Sequence, residues 1–208
     1  MLVNILIIII VSYLLGNLNG AILISRFLEH DDVRRHGSGN AGFTNFFRNY
    51  GGLTSLLVMF IDAVKAVIAC VLGRWLLGSF GYGLEGAALA ALCVGIGHDF
   101  PGLLGVHGGK GIVCGFAAAL TLDWRVGLAA FLVFAVVYFS TKYVSLSSVL
   151  AAIGLGVSFA CLHSDRIWAV LGCSAMCLLA IVMHRENISR LIHKTERKTD
   201  FFKKEKHA

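Results

Sequence analysis

Charge is scarce in this chain: Asp, Glu, Lys and Arg make up only 14% of its 208 residues, against about a quarter in a soluble domain. Proline is nearly absent, with Pro101 alone, while 24 residues are glycine. That balance excludes a loop-rich fold and suits helices that approach one another closely. The six cysteines (Cys70, Cys93, Cys114, Cys161, Cys173 and Cys177) include no Cys-x-x-Cys pair, which argues against a zinc site or a thiol redox motif. Most lie in apolar runs and read as small buried residues. No basic stretch precedes the first apolar run, so that run reads as a retained helix rather than a signal peptide. No period of 20–50 residues marks a solenoid.

What is abundant is apolar surface. Hydrophobic residues are 57% of the chain, more than a core of this size can hide, and lipid is the natural solvent for the excess. A spanning helix needs about 20 mostly apolar residues. Apolar runs cover about 2–28, 52–77, 86–98, 112–122, 126–140, 146–162 and 167–183. The spacing predicts an all-α membrane protein, a polytopic bundle of about seven segments forming one domain over 1–208. Two of the segments are too short to cross alone. Short segments broken by Gly-rich loops suit a hydrated cavity.

The net charge of +6 is unevenly spread, which favours orientation in a membrane over nucleic-acid binding. Arg26, Arg34, Arg35, Arg48, Lys110, Lys142 and the basic tail over 184–208 fall on one side of a seven-segment topology. Arg74, Arg125 and Arg166 fall on the other. The positive-inside rule puts the rich side in the cytoplasm, the N-terminus outside and the C-terminus inside.

Three polar stretches on that rich side carry chemistry. The first contains Gly37-x-Gly39-x-x-Gly42, with Asp62 about 20 residues on. It is not a dinucleotide fingerprint, because a membrane helix rather than a strand precedes it. Its glycines can still turn N–H groups toward an anion, beside the neutral donors Ser38, Asn40, Thr44 and Asn45. Arg34, Arg35 and Arg48 supply forked cations. A plain polar loop explains the arginines but not the clustered Gly, Ser, Asn and Thr.

The second stretch, GHDFPGLLGVHGGKG, places Gly108-Gly109-Lys110-Gly111 directly before an apolar run. A Gly-rich turn with a lysine at a helix N-terminus suits phosphate. It is not a Walker A loop, since Leu104 and Gly111 stand where that motif needs Gly and a hydroxyl residue. His98 remains open between ligand, base and interfacial residue, and His107 reads as interfacial. The third stretch puts His184, Asn187 and Leu191 on one helix face. Anionic lipid explains Lys203, Lys204 and Lys206 better than it explains that His–Asn pair. Inside the second apolar run, Asp62 and Lys65 stand three residues apart, as a structural ion pair or as part of a substrate path.

At these stretches the sequence resembles the bacterial acyl-phosphate:glycerol-3-phosphate acyltransferases, the PlsY family. The matching blocks are Gly37-Ser38-Gly39-Asn40 with Thr44-Asn45 and Arg48; Gly97-His98 through Pro101 to Gly108-Gly109-Lys110-Gly111; and His184-Arg185, Asn187-Ile188, Arg190-Leu191 and Thr195-Glu196. Asp62-x-x-Lys65 and the run from Tyr143 to Ser148 match as well, so the likeness covers nearly the whole chain in order. Ala66, His107, Val113, Cys114 and Lys194 depart from the pattern without removing a residue assigned to chemistry.

The resemblance implies transfer of a fatty acyl group from acyl phosphate to the 1-hydroxyl of glycerol 3-phosphate. The products would be lysophosphatidic acid and phosphate, made at a bacterial plasma membrane with the site facing the cytoplasm. It implies Ser38, Arg48, Lys110, His184 and Asn187 as the catalytic core. Gly37, Gly39, Asn40, Thr44, Asn45, Gly108, Gly109, Gly111, Arg185 and Glu196 would bind substrate or phosphate. Neither cofactor nor metal is expected, and the partners are the two substrates and membrane lipid, not nucleic acid. Acyl phosphate is already an activated anhydride, so positioning and charge stabilisation suffice. The other large glycerolipid acyltransferase class pairs a His with an Asp five residues on; Leu103 and Ser189 stand at those places after His98 and His184. The competing reading is a carrier for a phosphorylated solute, which would favour midplane motifs and repeated halves.

Overall fold

The computed structural model describes residues 1–201, and among these every regular element is a helix. The charged tail residues Lys203, Lys204 and Lys206 lie outside the described residues. All seven apolar runs are helical. The first, expected as one helix over 2–28, is instead broken into α1 (Leu2–Asn17) and α2 (Gly20–Phe27). Asn19 causes the break: its Oδ1 accepts the Ile22 N–H at 3.0 Å, and this cap starts a new helix. The helices that follow are α3 (Phe43–Tyr50), α4 (Thr54–Gly78), α5 (Gly83–Asp99), α6 (Ile112–Leu122), α7 (Trp124–Thr141), α8 (Val144–Leu162), α9 (Ile167–Met183) and α10 (Arg185–Ile192).

By length and composition, five helical segments could cross a membrane, or six when the bent pair α9–α10 is taken as one span. α6, with 11 residues, is about 16 Å long and falls short of a hydrocarbon core of about 30 Å. The third run is longer than its apolar stretch suggested, because α5 begins at Gly83 and ends at Asp99.

α5 is the centre, packed against α1, α4, α6 and α9. Small residues allow this. A Cβ on Gly97 would meet the Tyr13 carbonyl oxygen at 2.2 Å, and one on Gly73 would meet the Gly86 oxygen at 2.2 Å. Backbone-to-backbone approach of this kind replaces the hydrophobic drive that lipid cannot supply. Outward residues such as Phe60, Trp75, Phe131 and Val136 are exposed and apolar, as a lipid-facing surface requires.

The helix ends sort into two polar layers. At one end Arg74 donates to the Thr121 and Leu122 oxygens, Arg166 grips Glu85 at 2.7 Å, and His163 meets Asp123 at 3.0 Å. The opposite end carries all three motif stretches. α6 returns the chain from that end, so the short helix positions the Gly-Gly-Lys-Gly turn that precedes it.

Candidate active site

The first stretch is organised by one buried side chain. Asn45 accepts the Ser38 N–H at 3.0 Å and donates to the Val33 and His36 oxygens at 3.2 and 3.1 Å. Gly37 and Gly39 have φ of 60° and 71°, so the chain can curl around Asn45 only with glycine there. A Cβ on Gly37 would stand 2.3 Å from Asn45 Oδ1. Ser38 is left exposed on the resulting turn. Asp32 pairs with Arg34 at 2.6 Å, and that guanidinium holds the Asp32 carboxyl well below the usual carboxylate range. Arg34 Nη1 also donates to the Leu104 oxygen at 2.7 Å, which ties the first stretch to the second.

The Gly-Gly-Lys-Gly turn is held from behind. Gly108 N–H donates to the Asp99 oxygen at 3.0 Å and Gly109 N–H to the His98 oxygen at 3.1 Å. Both groups, expected to face phosphate, are thus committed to the turn itself. Gly108 in return accepts from Ala41 N–H at 3.0 Å. The glycine that needs a left-handed backbone is Gly111, with φ 64°, at the start of α6. Gly109 is required for space instead: a Cβ there would stand 2.0 Å from His98 Nε2.

Behind that histidine lies a buried ionic cluster. Lys65 Nζ is 2.8 Å from Asp62 Oδ1 and 2.9 Å from His98 Nδ1. It also donates to the Gly16 and Leu18 oxygens, at 3.1 and 2.9 Å, which the break between α1 and α2 exposes. Asp62 Oδ1 accepts the Gly20 N–H at 3.1 Å. Asp62, His98 and Cys114 are one grouping with ligand atoms close enough for a metal ion. The Lys65 ammonium already meets two of its three donors, so the cluster is a neutralised bolt. Of the two readings of Asp62 and Lys65, the structural ion pair is the one this packing supports.

The third stretch meets the second at Lys110. Its Nζ donates to Asn187 Oδ1, and Asn187 Nδ2 donates to Glu196 Oε1 at 2.7 Å. Glu196 also receives Arg190 Nε at 2.7 Å and the Ser145 hydroxyl at 2.8 Å. Burial raises the Glu196 pKa, but these hydrogen bonds outweigh it and hold the carboxyl below its ordinary value. Burial lowers the Lys110 pKa, and the nearby Arg190 charge lowers it further. His184 sits just past α9, where the chain bends by 53° into α10. Its Nδ1 lies 2.7 Å from the Ala180 oxygen, which can only accept. Nδ1 therefore carries the proton and Nε2 the lone pair. Burial first, with the Lys110 charge, pushes this imidazole down to about 4.

Two cavities adjoin these groups. An apolar groove runs between α5, α6, α7, α8 and α9, lined by residues such as Ala91, Phe116, Ala152 and Ala180, and it reaches Asp99, Lys110 and Gly111. A polar pocket is lined by Gly37, Ser38, Asn45, Arg48, Asn49, Arg197 and Lys198. Lys110, His184, Asn187 and Glu196 thus form one group, and Ser38, Arg48, Gly37 and Asn45 another. Gly39, Asn40, Thr44, Gly108, Gly109, His184, Arg185, Asn187 and Glu196 line neither cavity, so Lys110 is the member of its group that reaches the groove. His107 is exposed, its ring meets the neighbouring Gly105 oxygen, and its backbone oxygen accepts from Arg34 Nη1 at 3.4 Å.

Sequence reasoning missed Thr199, whose hydroxyl accepts from Arg48, and left His98 without a partner. No local signal could have found either, since the contacts span 151 and 33 residues.

A family model described as glycerol-3-phosphate acyltransferase matches residues 6–194. A glycerol-3-phosphate acyltransferase of Thermoanaerobacter sp. (strain X514) is 35% identical over 192 residues, covering 91% of this chain and 92% of that relative. One from Parasynechococcus marenigrum (strain WH8102) is 39% identical over 193 residues, covering 93% and 89%. The crystal structure of PlsY (YgiH), an integral membrane glycerol 3-phosphate acyltransferase in its glycerol 3-phosphate form, is similar with a TM-score of 0.84. The identity is 29%, with 94% of this chain and 96% of that one covered.

Proposed function

Because the chain belongs to the glycerol-3-phosphate acyltransferase family, we propose that it transfers a fatty acyl group from acyl phosphate to the 1-hydroxyl of glycerol 3-phosphate, releasing lysophosphatidic acid and inorganic phosphate. The observation that carries this reading is the place of Lys110. One end of the apolar groove stops at its ammonium, and that ammonium is held by Asn187 next to the polar loops. A molecule with a long apolar chain ending in an anion fits that junction.

In this reading the acyl chain occupies the groove. Its phosphate meets Lys110 and the first turn of α6, whose leading N–H groups lack a capping side chain. Glycerol 3-phosphate enters by the polar pocket, with Arg48 opposite its phosphate and Ser38 donating a hydroxyl hydrogen bond. The 1-hydroxyl oxygen attacks the acyl carbon, the new ester C–O bond forms, and the bond from carbon to phosphate oxygen breaks. The Nε2 lone pair of His184 takes the hydroxyl proton, and Asn187 orients the same hydroxyl. The anhydride supplies the activation, so the protein's task is positioning and charge.

The same reading sets the motif end in the cytoplasm of a bacterial plasma membrane, with the N-terminus outside and the short α6 returning the chain within the bundle. Arg26, Arg34, Arg35, Arg48, Lys110, Lys142, Arg185, Arg190, Lys194, Arg197 and Lys198 crowd that end, against Arg74, Arg125 and Arg166 at the other. A carrier would need groups that hold solute along its path. The charges within the bundle are instead neutralised by one another at the Lys65 cluster.

The test is purified protein given acyl phosphate and glycerol 3-phosphate and assayed for lysophosphatidic acid, with acyl-CoA as an alternative donor and excess chelator present. Turnover with acyl phosphate alone is expected, undiminished by chelator. Turnover with acyl-CoA alone, or loss of activity in chelator restored by a divalent ion, overturns the donor and mechanism. Passage of glycerol 3-phosphate across sealed vesicles without turnover moves the carrier reading ahead.

A further inference from the structure

The last described residues, 195–201, do not trail from the bundle. They form a strap across its motif end. Glu196 is anchored by Ser145, Asn187 and Arg190. Thr199 N–H donates to the Lys142 oxygen at 3.0 Å, and the Thr199 oxygen accepts from Tyr138 Oη at 3.1 Å. Phe201 N–H donates to the same Tyr138 oxygen at 3.1 Å. The Phe201 ring packs against Phe47 at 5.2 Å, Tyr138 at 5.3 Å and Phe43 at 5.9 Å. Lys198 Nζ lies 5.3 Å over the Tyr143 ring. The segment is therefore stapled to α3, α7 and α8 by both backbone and rings.

What the strap holds is the more telling fact. Thr199 is 2% exposed, and its hydroxyl accepts from Arg48 Nε at 2.9 Å and from Arg48 Nη2. Arg48 Nη2 also donates to the Arg197 oxygen at 3.2 Å. One edge of the guanidinium is thus fixed by the strap. The polar pocket is lined by Arg48, Arg197 and Lys198, and among the described residues no acidic one is in its lining. Three cations around a cavity lined otherwise by Gly, Ser and Asn describe a site for a compact, multiply charged anion.

We propose that this strap is the outer wall of the acceptor site. Thr199 is a positioning residue that aims Arg48, and Arg197 and Lys198 are further binding cations for the phosphate of a small phosphomonoester. The inference deepens the functional reading above and rests on it for the identity of that phosphomonoester, glycerol 3-phosphate. It concerns residues beyond 194, where the family match ends. The strap's hydrogen bonds to Asn187 and Arg48 also join the two groups of site residues through one segment. An acceptor bound against Arg197 and Lys198 is thereby held in register with the Lys110 group.

The experiment compares wild type with Thr199→Val, Thr199→Ser and the double variant Arg197→Ala/Lys198→Ala in detergent. KM is measured separately for each substrate, with thermal melting and with calorimetric binding of glycerol 3-phosphate alone. Thr199→Val removes only the hydroxyl and should raise KM for glycerol 3-phosphate roughly tenfold, about the value of one charge-assisted hydrogen bond. KM for acyl phosphate, kcat and melting should hold within about twofold or a few degrees. Thr199→Ser should restore the acceptor KM. The double variant, whose two residues are exposed, should weaken acceptor binding and flatten its salt dependence.

Unchanged acceptor KM in both Thr199→Val and the double variant overturns the proposal. So does a rise in both KM values together with a lowered melting point, which is the mark of a merely structural strap. If wild type binds glycerol 3-phosphate and Thr199→Val weakens that binding, the strap stands even where acyl phosphate is not turned over. In that case the functional reading alone fails. If wild type turns over but the strap variants match it in KM and binding, the strap fails alone.

Discussion

Two lysines, Lys65 and Lys110, show how the same ammonium serves opposite ends. Lys65 is 3% exposed and faces a carboxylate, an imidazole nitrogen and two carbonyl oxygens, all within 3.1 Å. Its charge is answered on every side, and its position seals the break between α1 and α2. Lys110 has a neutral amide, Asn187, as its hydrogen-bond partner, and it stands at the end of an apolar groove. A buried cation that is fully matched stiffens a bundle. One that is hydrogen-bonded to an amide, with the Glu186 and Glu196 carboxylates near it but no direct ion pair to either, and with burial disfavouring its charge, is a candidate anion site. His98 links the two, since its Nδ1 meets Lys65 and its Nε2 lies against Gly109.

That contrast breaks first at Lys65. Lys65→Ala leaves Asp62 buried without its cation and should cost about 3–5 kcal/mol of stability. In a thermal melt and in yield of folded protein this is the largest effect expected. Lys110→Ala should melt like wild type while losing about one to two decades of kcat/KM. The double replacement Asp62→Leu/Lys65→Met removes both charges and should recover much of the lost stability. If Lys65→Ala melts normally but is inactive, and Lys110→Ala is unstable but active, the roles are reversed and the comparison is wrong.

The second test sharpens the boundary between bolt and site, because it falls on the turn that joins them. A Cβ at Gly109 would collide with His98 Nε2 at 2.0 Å and with the Ala41 oxygen at 2.9 Å. Gly109→Ala should therefore disturb both the turn and the cluster behind it, reducing activity and melting temperature together. Gly111→Ala meets nothing closer than 3.3 Å but must adopt φ 64°. It should cost about 1–2 kcal/mol and lower activity mainly by tilting the start of α6. Equal melting temperatures for the two variants would show that the His98 contact does not limit the turn.

The helices were legible in the sequence because lipid imposes a long apolar run on any segment that crosses it, and all seven runs are helical. The Gly-rich turns were legible by composition as polar turns gathered at one end of the helices. What escaped is whatever depends on distant partners. Asp62 and Lys65 were visible as a pair three residues apart, but not His98, which completes their cluster from another helix. Asn45 looked like a substrate donor because asparagine in a Gly-rich loop often is one, yet its amide is occupied in shaping the loop. Gly108 and Gly109 looked like phosphate donors for the same reason, until their N–H groups were found bonded to the end of α5. Beyond Glu196, the segment over 197–201 read as basic tail, since a threonine among lysines gives no sign of an arginine 151 residues away.

The smallest expected effect is a displacement of the pH profile, and it again separates Lys110 from an ordinary lysine. Burial makes the Lys110 ammonium easier to deprotonate than a free lysine at 10.5. A neutral amine gives no counter-charge to phosphate, so kcat/KM should fall as pH rises through this lowered value, before free lysines titrate. Stability should move the other way. Between the lowered folded value and 10.5 the unfolded chain binds more protons than the folded one, so the Lys110 contribution to stability rises with pH across that window. Activity and melting temperature are then expected to diverge on the alkaline side. Lys110→Arg keeps its charge there and should lose the alkaline limb, although its planar fork fits the turn poorly and lowers the plateau. On the acid side, His184 near 4 keeps its Nε2 lone pair through the mildly acidic range, so no His184 limb is expected close to 6.5. Any limb near 6 that survives in every variant belongs to the second ionisation of the substrate phosphate, at about 6. The measurement is kcat/KM from pH 5 to 10 for wild type and Lys110→Arg, with melting curves at the same points. An identical alkaline limb in both proteins would assign it to another group and remove Lys110 from the role of the titrating counter-charge.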